Sequence, residues 1–300
     1  MDSNLLIERE KKWIDEICNK YQYDNNIRHI LWILIPAFIK KYGLEKEKLI
    51  KDTFENIKII SSNKESETIR AYYSSTLIKR EEGYITKKVM VIHNYNKIRL
   101  VELVDSLAHE FNHAINSYFN EIKIGDQKIY LRTGLTYRIY EKESLHFIKK
   151  DPSFVLEEII NTKQTEDVMN IIKQMNLEDS NFKNTIYAIN SETNLHYNSN
   201  SYYLQNRICK EIVENRTFFS TLEKLRLTGD IFDIENWFDY IIGEKKQYQK
   251  FINLLNDIFN LEKEYYEKRF FKKRILNKIR DKSEEIKRII HKFNKNVNFR

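Results

Sequence analysis

Residues 98–122 read IRLVELVDSLAHEFNHAINSYFNEI. Leu100, Leu103, Val104, Leu107, Phe111 and Ile115 recur at steps of three and four, which is the apolar stripe of one helix face. The spacing predicts a helix from Ile98 to Ile122. On such a helix His109 and His113 stand four residues apart and share a face, so both imidazoles can reach one metal ion. Glu110 follows the first histidine directly. It projects beside such an ion rather than onto it, at the distance where a carboxylate takes a proton from a bound water. The chain has only 7 histidines, and chance produces this spacing about 0.02 times in a chain of this size.

The flanks of the helix set the fold class. Before it, Asn56–Ser61, Glu67–Lys79 and Tyr84–His93 are rich in Ile, Val, Tyr and Thr and predict strands, the last two joined as a hairpin through Glu81-Glu82-Gly83. After it, Lys128–Leu131 and Leu135–Tyr140 predict two short strands around Thr133-Gly134. Residues 4–42 predict helices, with Leu5, Trp13, Ile14 and Ile17 on one face. Ile30–Ile39 is apolar nearly all round, hence buried, with Pro36 near its end or at a kink. From Pro152 onward almost everything predicts helix. The expectation is an α+β fold, mostly helical, in three segments: N-terminal helices at 1–50, a small sheet with the motif helix at 51–180, and a helical region at 181–300.

Composition agrees. Six glycines and two prolines among 300 residues are far below the usual share and favour long helices over an all-β or glycine-rich nucleotide-binding fold. The longest apolar run, Ile30–Ile39, is half the length a membrane span needs. The first residues, MDSNLLIEREKKW, carry charges throughout and lack the basic-then-apolar pattern of a signal peptide. Cys18 and Cys209 show no paired spacing, so a disulfide framework is not indicated. These features set the expectation of a cytoplasmic protein without a transmembrane segment. The net charge of +7 is concentrated in residues 262–300, which hold 14 basic and 6 acidic residues. There Phe271, Ile275, Ile279, Ile286, Ile290 and Phe293 follow helical spacing. A basic amphipathic helix can meet an anionic partner such as a membrane, a nucleic acid or an acidic protein. It can equally pack its stripe on the body and solvate its lysines.

Two histidines need a third ligand. The pattern with a further histidine on the same helix fails, because Asn116 and Phe119 stand where it requires Gly and His. A glutamate on a later helix is the other common solution. The best candidates are Glu157 and Glu158 in Phe154–Met169, a helix opening after Asp151-Pro152-Ser153. With its His-Glu-x-x-His helix followed by a glutamate helix, the chain resembles the gluzincin class of zinc metallopeptidases over roughly residues 56–175. The wide interval between the two helices is similar to that of the lethal-factor-like group. Matching Leu156-Glu157-Glu158-Ile159 onto the class's second motif puts the third zinc ligand at Glu158, although Ile159 replaces the usual Gly and keeps Glu157 as the fallback. The resemblance implies a zincin-like core, a small sheet with the His-Glu-x-x-His helix and the glutamate helix, in which His109, His113 and Glu158 hold Zn2+, with water in the fourth position activated by Glu110, and hydrolysis of a peptide or protein substrate, most naturally as an endopeptidase.

The resemblance also implies lesser parts. A strand beside the active helix pairs with extended substrate, for which Val89–Ile92 or Lys128–Leu131 are candidates. A Tyr or His steadies the oxyanion, with Tyr137, Tyr140, His146, His196, Tyr202 and Tyr203 as candidates. Asn161, Thr162, Glu166 and Asp105 can orient the ligating imidazoles, and His93 ends the strand before the motif helix. The competing reading is a non-catalytic, metal-stabilised regulatory or binding protein that uses the basic C-terminal helix for its partner. Glu110 separates the two, because a purely structural zinc site is closed by four protein ligands and needs no carboxylate beside it.

Overall fold

The structure, a computed structural model, describes residues 3–64, 71–116, 122–150, 153–175, 210–228, 231–268 and 270–297. It is an α+β protein, mostly helical, with two small sheets. Its contacts form two compact units, Met1–Tyr118 with Asn161–Leu195, and Phe119–Ile160 with His196–Arg300.

In the first unit, α1 (Ser3–Tyr21) and α2 (Asn25–Tyr42) pack together, followed by a short 3-10 turn and α3 (Glu47–Glu55). Asp24 starts α2 by accepting the Ile27 N–H at 3.0 Å, and its other oxygen accepts the Tyr95 hydroxyl at 2.5 Å. A carboxylate at this position satisfies one of the orphan donors of the first turn. Every residue from Ile30 to Ile39 is buried, as the all-round apolar pattern requires. The helix continues past Pro36 to Tyr42. Three strands follow: β1 (Ile57–Ser61), β2 (Ala71–Arg80) and β3 (Gly83–Ile92), in the order β1-β3-β2. β2 and β3 form the expected antiparallel hairpin, with Arg80 opposite Gly83 across Glu81-Glu82. β1 lies parallel to β3. The motif helix α4 (Leu100–Asn116) completes this unit together with the later turns of the next helix. One apolar core joins Ile14, Phe38, Phe54, Met90, Leu107, Phe111, Val168 and Ile172, so the first helices and the motif helix share a single core.

In the second unit, β4 (Ile122–Ile124), β5 (Lys128–Thr133), β6 (Thr136–Glu141) and β7 (Phe147–Lys150) form an antiparallel meander. Here the sequence expectation is corrected at one edge: α4 ends at Asn116, and Ile122 belongs to a strand rather than to the motif helix. α5 (Phe154–Lys173) spans the division between the units. Then come α6 (Arg216–Thr228), α7 (Ile231–Ile242), α8 (Gln247–Glu267) and α9 (Lys272–Val297). Their core gathers Leu156, Ile160, Phe218, Phe238, Phe251 and Phe293, with ring pairs such as Phe218–Phe293 meeting edge to face at 4.9 Å. Ile275, Ile279, Ile286, Ile290 and Phe293 of α9 are buried in this core. The stripe therefore packs on the body, and Phe271, read as part of it, is 72 % exposed instead. Cys18 is a buried free thiol, whose burial raises its pKa to about 11. Among the described residues no helix is long and apolar enough to cross a membrane.

Candidate metal centre

α4 is unusual in what it buries. Beside its apolar stripe, Asp105, His109, Glu110, Asn112, His113 and Asn116 are all buried. Burying polar groups costs free energy unless each finds a partner, so the helix needs a polar counterpart, and α5 supplies it. The Asn161 side chain donates to the main-chain oxygen of His109 at 2.9 Å. The Asn112 amide donates to the Thr165 hydroxyl at 3.0 Å, and that hydroxyl donates to the Asn161 carbonyl at 2.8 Å. Tyr42 of α2 donates to Asn112 Oδ1 at 2.8 Å. These bonds fix the register of α5 against α4.

Glu158 lies one turn before Asn161 on α5. One ligand atom from each of His109, His113 and Glu158 lies within 4.8 Å of the others, and all three residues are buried. The two imidazole rings stand nearly perpendicular, 4.9 Å apart between centroids. Two imidazoles and one carboxylate form the donor set of catalytic zinc sites, with three protein ligands and one position open. Tetrahedral zinc holds such donors about 3.4 Å apart, so small side-chain adjustments close the triad on an ion. The residues present fit zinc.

Glu157, the alternative third ligand, is committed elsewhere. Arg226 of α6 grips its carboxylate with Nε, 3.0 Å from each oxygen, and with Nη2. The Leu135 N–H adds a bond to the same carboxylate at 2.9 Å. Arg226 is fully buried, and Glu157 nearly so. The guanidinium fork suits a planar carboxylate, and few other groups can neutralise a charge this deep. The carboxylate also sits against Gly134 in the β5–β6 turn, at φ +59°, where a Cβ would lie 2.3 Å from a Glu157 oxygen. Only glycine leaves room there. Arg132 holds the other side of this turn, donating to the Gly134 carbonyl at 2.8 Å and to the Leu225 and Arg226 carbonyls at 2.9 Å. The first turn of α5 is thus anchored through Glu157, while Glu158 remains with the histidines.

Glu110 is buried in α4, and its Oε2 accepts the main-chain N–H of Tyr73 at 2.6 Å. Tyr73 lies on β2, which among the described residues is an edge strand paired only with β3. This corrects the expected substrate strands. Val89–Ile92 lies in β3 and Lys128–Leu131 in β5, and both strands are flanked on each side, leaving no edge for a further strand.

The remaining candidates are placed less centrally. Asn161 reaches the His109 main chain. Thr162 and Asp105 are buried on the two site helices, and Glu166 pairs with Lys163 at 3.1 Å. Tyr137 and Tyr140 of β6 pack edge-on against Tyr130 and Phe147, and His146 is exposed. His93 follows β3 and lies over Tyr72, with ring centroids 5.6 Å apart. His196, Tyr202 and Tyr203 lie outside the described residues. Sequence reasoning missed Tyr73, whose contribution is a main-chain N–H that any residue carries. It also missed Arg226, 69 positions from its partner. Asn112 stood inside the motif as a polar residue on a helix otherwise rich in apolar ones, and that was a usable signal.

No protein-family model, curated protein or solved structure matches this chain.

Proposed function

We propose that the protein is a zinc-dependent endopeptidase, with the ion held by His109, His113 and Glu158. The observation that carries this reading is the buried two-histidine, one-glutamate triad with the Glu110 carboxylate on the adjoining position of the same helix. Zinc in such a site supplies Lewis acidity, polarising a carbonyl and bringing the pKa of water to about 7. Glu110 is the general base. It accepts a proton from the water whose oxygen adds to the scissile carbonyl carbon, then delivers that proton to the amide nitrogen as the C–N bond breaks.

The edge strand supports a peptide as substrate. The Tyr73 N–H that meets Glu110 belongs to the row of main-chain groups facing away from β3. A segment in extended conformation pairing there lies alongside Glu110, and main-chain hydrogen bonds hold it with little regard to sequence. This favours cleavage within unfolded or extended stretches. The test is cleavage of a reduced, alkylated, unfolded protein by the zinc-supplied chain. Wild type cuts it, and Glu110→Gln loses about 10²- to 10⁴-fold in rate while keeping its metal. Undiminished cleavage by Glu110→Gln, or none by a wild type carrying its full zinc, contradicts the reading.

A further inference from the structure

The connection between α8 and α9 carries a second feature, unrelated to the metal centre. Phe270 and Phe271 are 75 % and 72 % exposed, the highest values among the large apolar side chains described. They are not the loose end of the core, because Ile275, one turn on, is buried. Phe271 also has φ +69°. A bulky residue in the left-handed region is a genuine outlier that persists only where the surroundings hold it. Here the Phe271 carbonyl accepts the Arg274 and Ile275 N–H groups at 3.0 and 3.1 Å and so starts α9. The chain accepts this conformation and presents two adjacent phenyl rings to solvent.

Cations follow the two phenylalanines directly in the chain. Lys272, Lys273 and Arg274 are exposed, with Lys272 over the Tyr265 ring at 4.9 Å, and Tyr266 beside it is 53 % exposed. The nearby carboxylates are already engaged, Glu264 by Lys268 at 2.5 Å and Glu267 by Lys263 at 3.9 Å. Further along α9 three lysines meet acids: Lys282 with Asp257, Lys287 with Glu211 and Glu284, Lys292 with Glu244. Lys272, Lys273 and Arg274 thus set three consecutive exposed cations directly beside the two phenylalanines.

We propose that this tip binds an anionic lipid bilayer. Phe270 and Phe271 enter the acyl boundary, while Lys272, Lys273 and Arg274 remain at the level of the lipid phosphates and Tyr266 lies at the interface between them. Apolar rings need an apolar medium a few ångströms below the charged layer, and the bilayer interface has that layering. Two adjacent rings just before α9 are too narrow a patch for a stable protein interface, which needs a larger buried area.

The test is co-sedimentation of the full chain with vesicles of phosphatidylglycerol and phosphatidylcholine, beside vesicles of phosphatidylcholine alone and a single-stranded oligonucleotide. The wild type binds the anionic vesicles and much less the neutral ones. Phe270→Ser and Phe271→Asn each weaken that binding about tenfold, and Asn tolerates the left-handed conformation. Lys272→Glu and Lys273→Glu each weaken it about fivefold or more, and added salt does likewise. None of the four variants lowers the unfolding temperature, since the side chains are exposed. Absence of binding to anionic vesicles, binding that the Phe variants leave unchanged, or a Phe-dependent preference for the oligonucleotide over vesicles overturns the proposal.

Discussion

Helices α4 and α9 make an instructive pair. Both are amphipathic, and both bury an apolar stripe in the core of their own unit. They differ in the opposite face. α9 turns its polar face to solvent and matches Lys282, Lys287 and Lys292 with surface carboxylates. α4 keeps its polar residues inside, where Asn112, Asn161, Thr165 and Tyr42 form a hydrogen-bonded lattice around the histidine pair. Solvated charge on a helix face is the ordinary outcome of amphipathicity. Buried polar groups require partners and confer little stability for that effort, so their concentration on α4 is the feature on which the proposed chemistry rests.

The contrast predicts very different mutational costs. The largest belongs to the buried pair that anchors α5. Arg226→Ala leaves the Glu157 carboxylate buried and unpaired, and denaturant unfolding should show a loss of about 3–5 kcal/mol. The double variant Arg226→Met/Glu157→Leu should recover most of it, because removing both charges removes the desolvation penalty as well. If the single and double variants are equally damaged, the pair is not an isolated electrostatic unit.

Within the α4 lattice the expected cost is smaller. Asn112→Ala strips partners from Thr165 and Tyr42 and should destabilise by about 1–3 kcal/mol. It should also weaken zinc affinity, since α5 then loses part of its register against α4. Equal affinity with lower stability would confine the lattice to a structural role.

Lys88 tests the same principle on the sheet. Burial pulls its pKa down from 10.5 to about 8. Below pH 8 the folded and unfolded states both carry the proton, and the folded state bears the desolvation cost. Between pH 8 and 10.5 the folded lysine is the one that has lost its proton, so this penalty fades as pH rises. Lys88→Met should therefore be more stable than wild type at pH 7, on the order of 1–2 kcal/mol, with the gap closing toward pH 10.5. A gap that persists at high pH would assign the effect to packing. The comparison must be a difference between the two proteins, because Cys18, whose pKa is raised, destabilises both as pH rises past 9.

The smallest effect is expected on α9. Lys282 meets Asp257 at 2.6 Å, but both side chains are substantially solvated. Lys282→Ala should cost less than about 1 kcal/mol, and less still in high salt. A cost comparable to Asn112→Ala would erase the distinction between the two helices.

Most of this architecture was legible locally. Periodicity located α1, α2, α4, α5 and α9, and β-branched runs located β1, β2, β3, β5 and β6, because each buries one side against a core. The short β7 escaped notice, since Phe147–Lys150 carries little alternation. The motif pointed to His109, Glu110 and His113 through a spacing that one helix dictates. Separating Glu158 from Glu157 was beyond local reading. Adjacent residues on a helix diverge by about 100°, and which of them meets the histidines depends on Arg226, Gly134 and Leu135, all distant in sequence. Likewise, an apolar stripe says which face is buried, but not whether the opposite face meets water or a second helix.

The most direct test of the central claim is elemental analysis of the purified, zinc-supplied protein beside His113→Ala, Glu158→Ala, Glu157→Gln and Glu110→Gln. The account predicts about one zinc per chain in wild type, none retained by His113→Ala or Glu158→Ala, and retention by Glu110→Gln and by whatever fraction of Glu157→Gln folds. Zinc retained by Glu158→Ala, or no metal bound by a folded wild type, would contradict it.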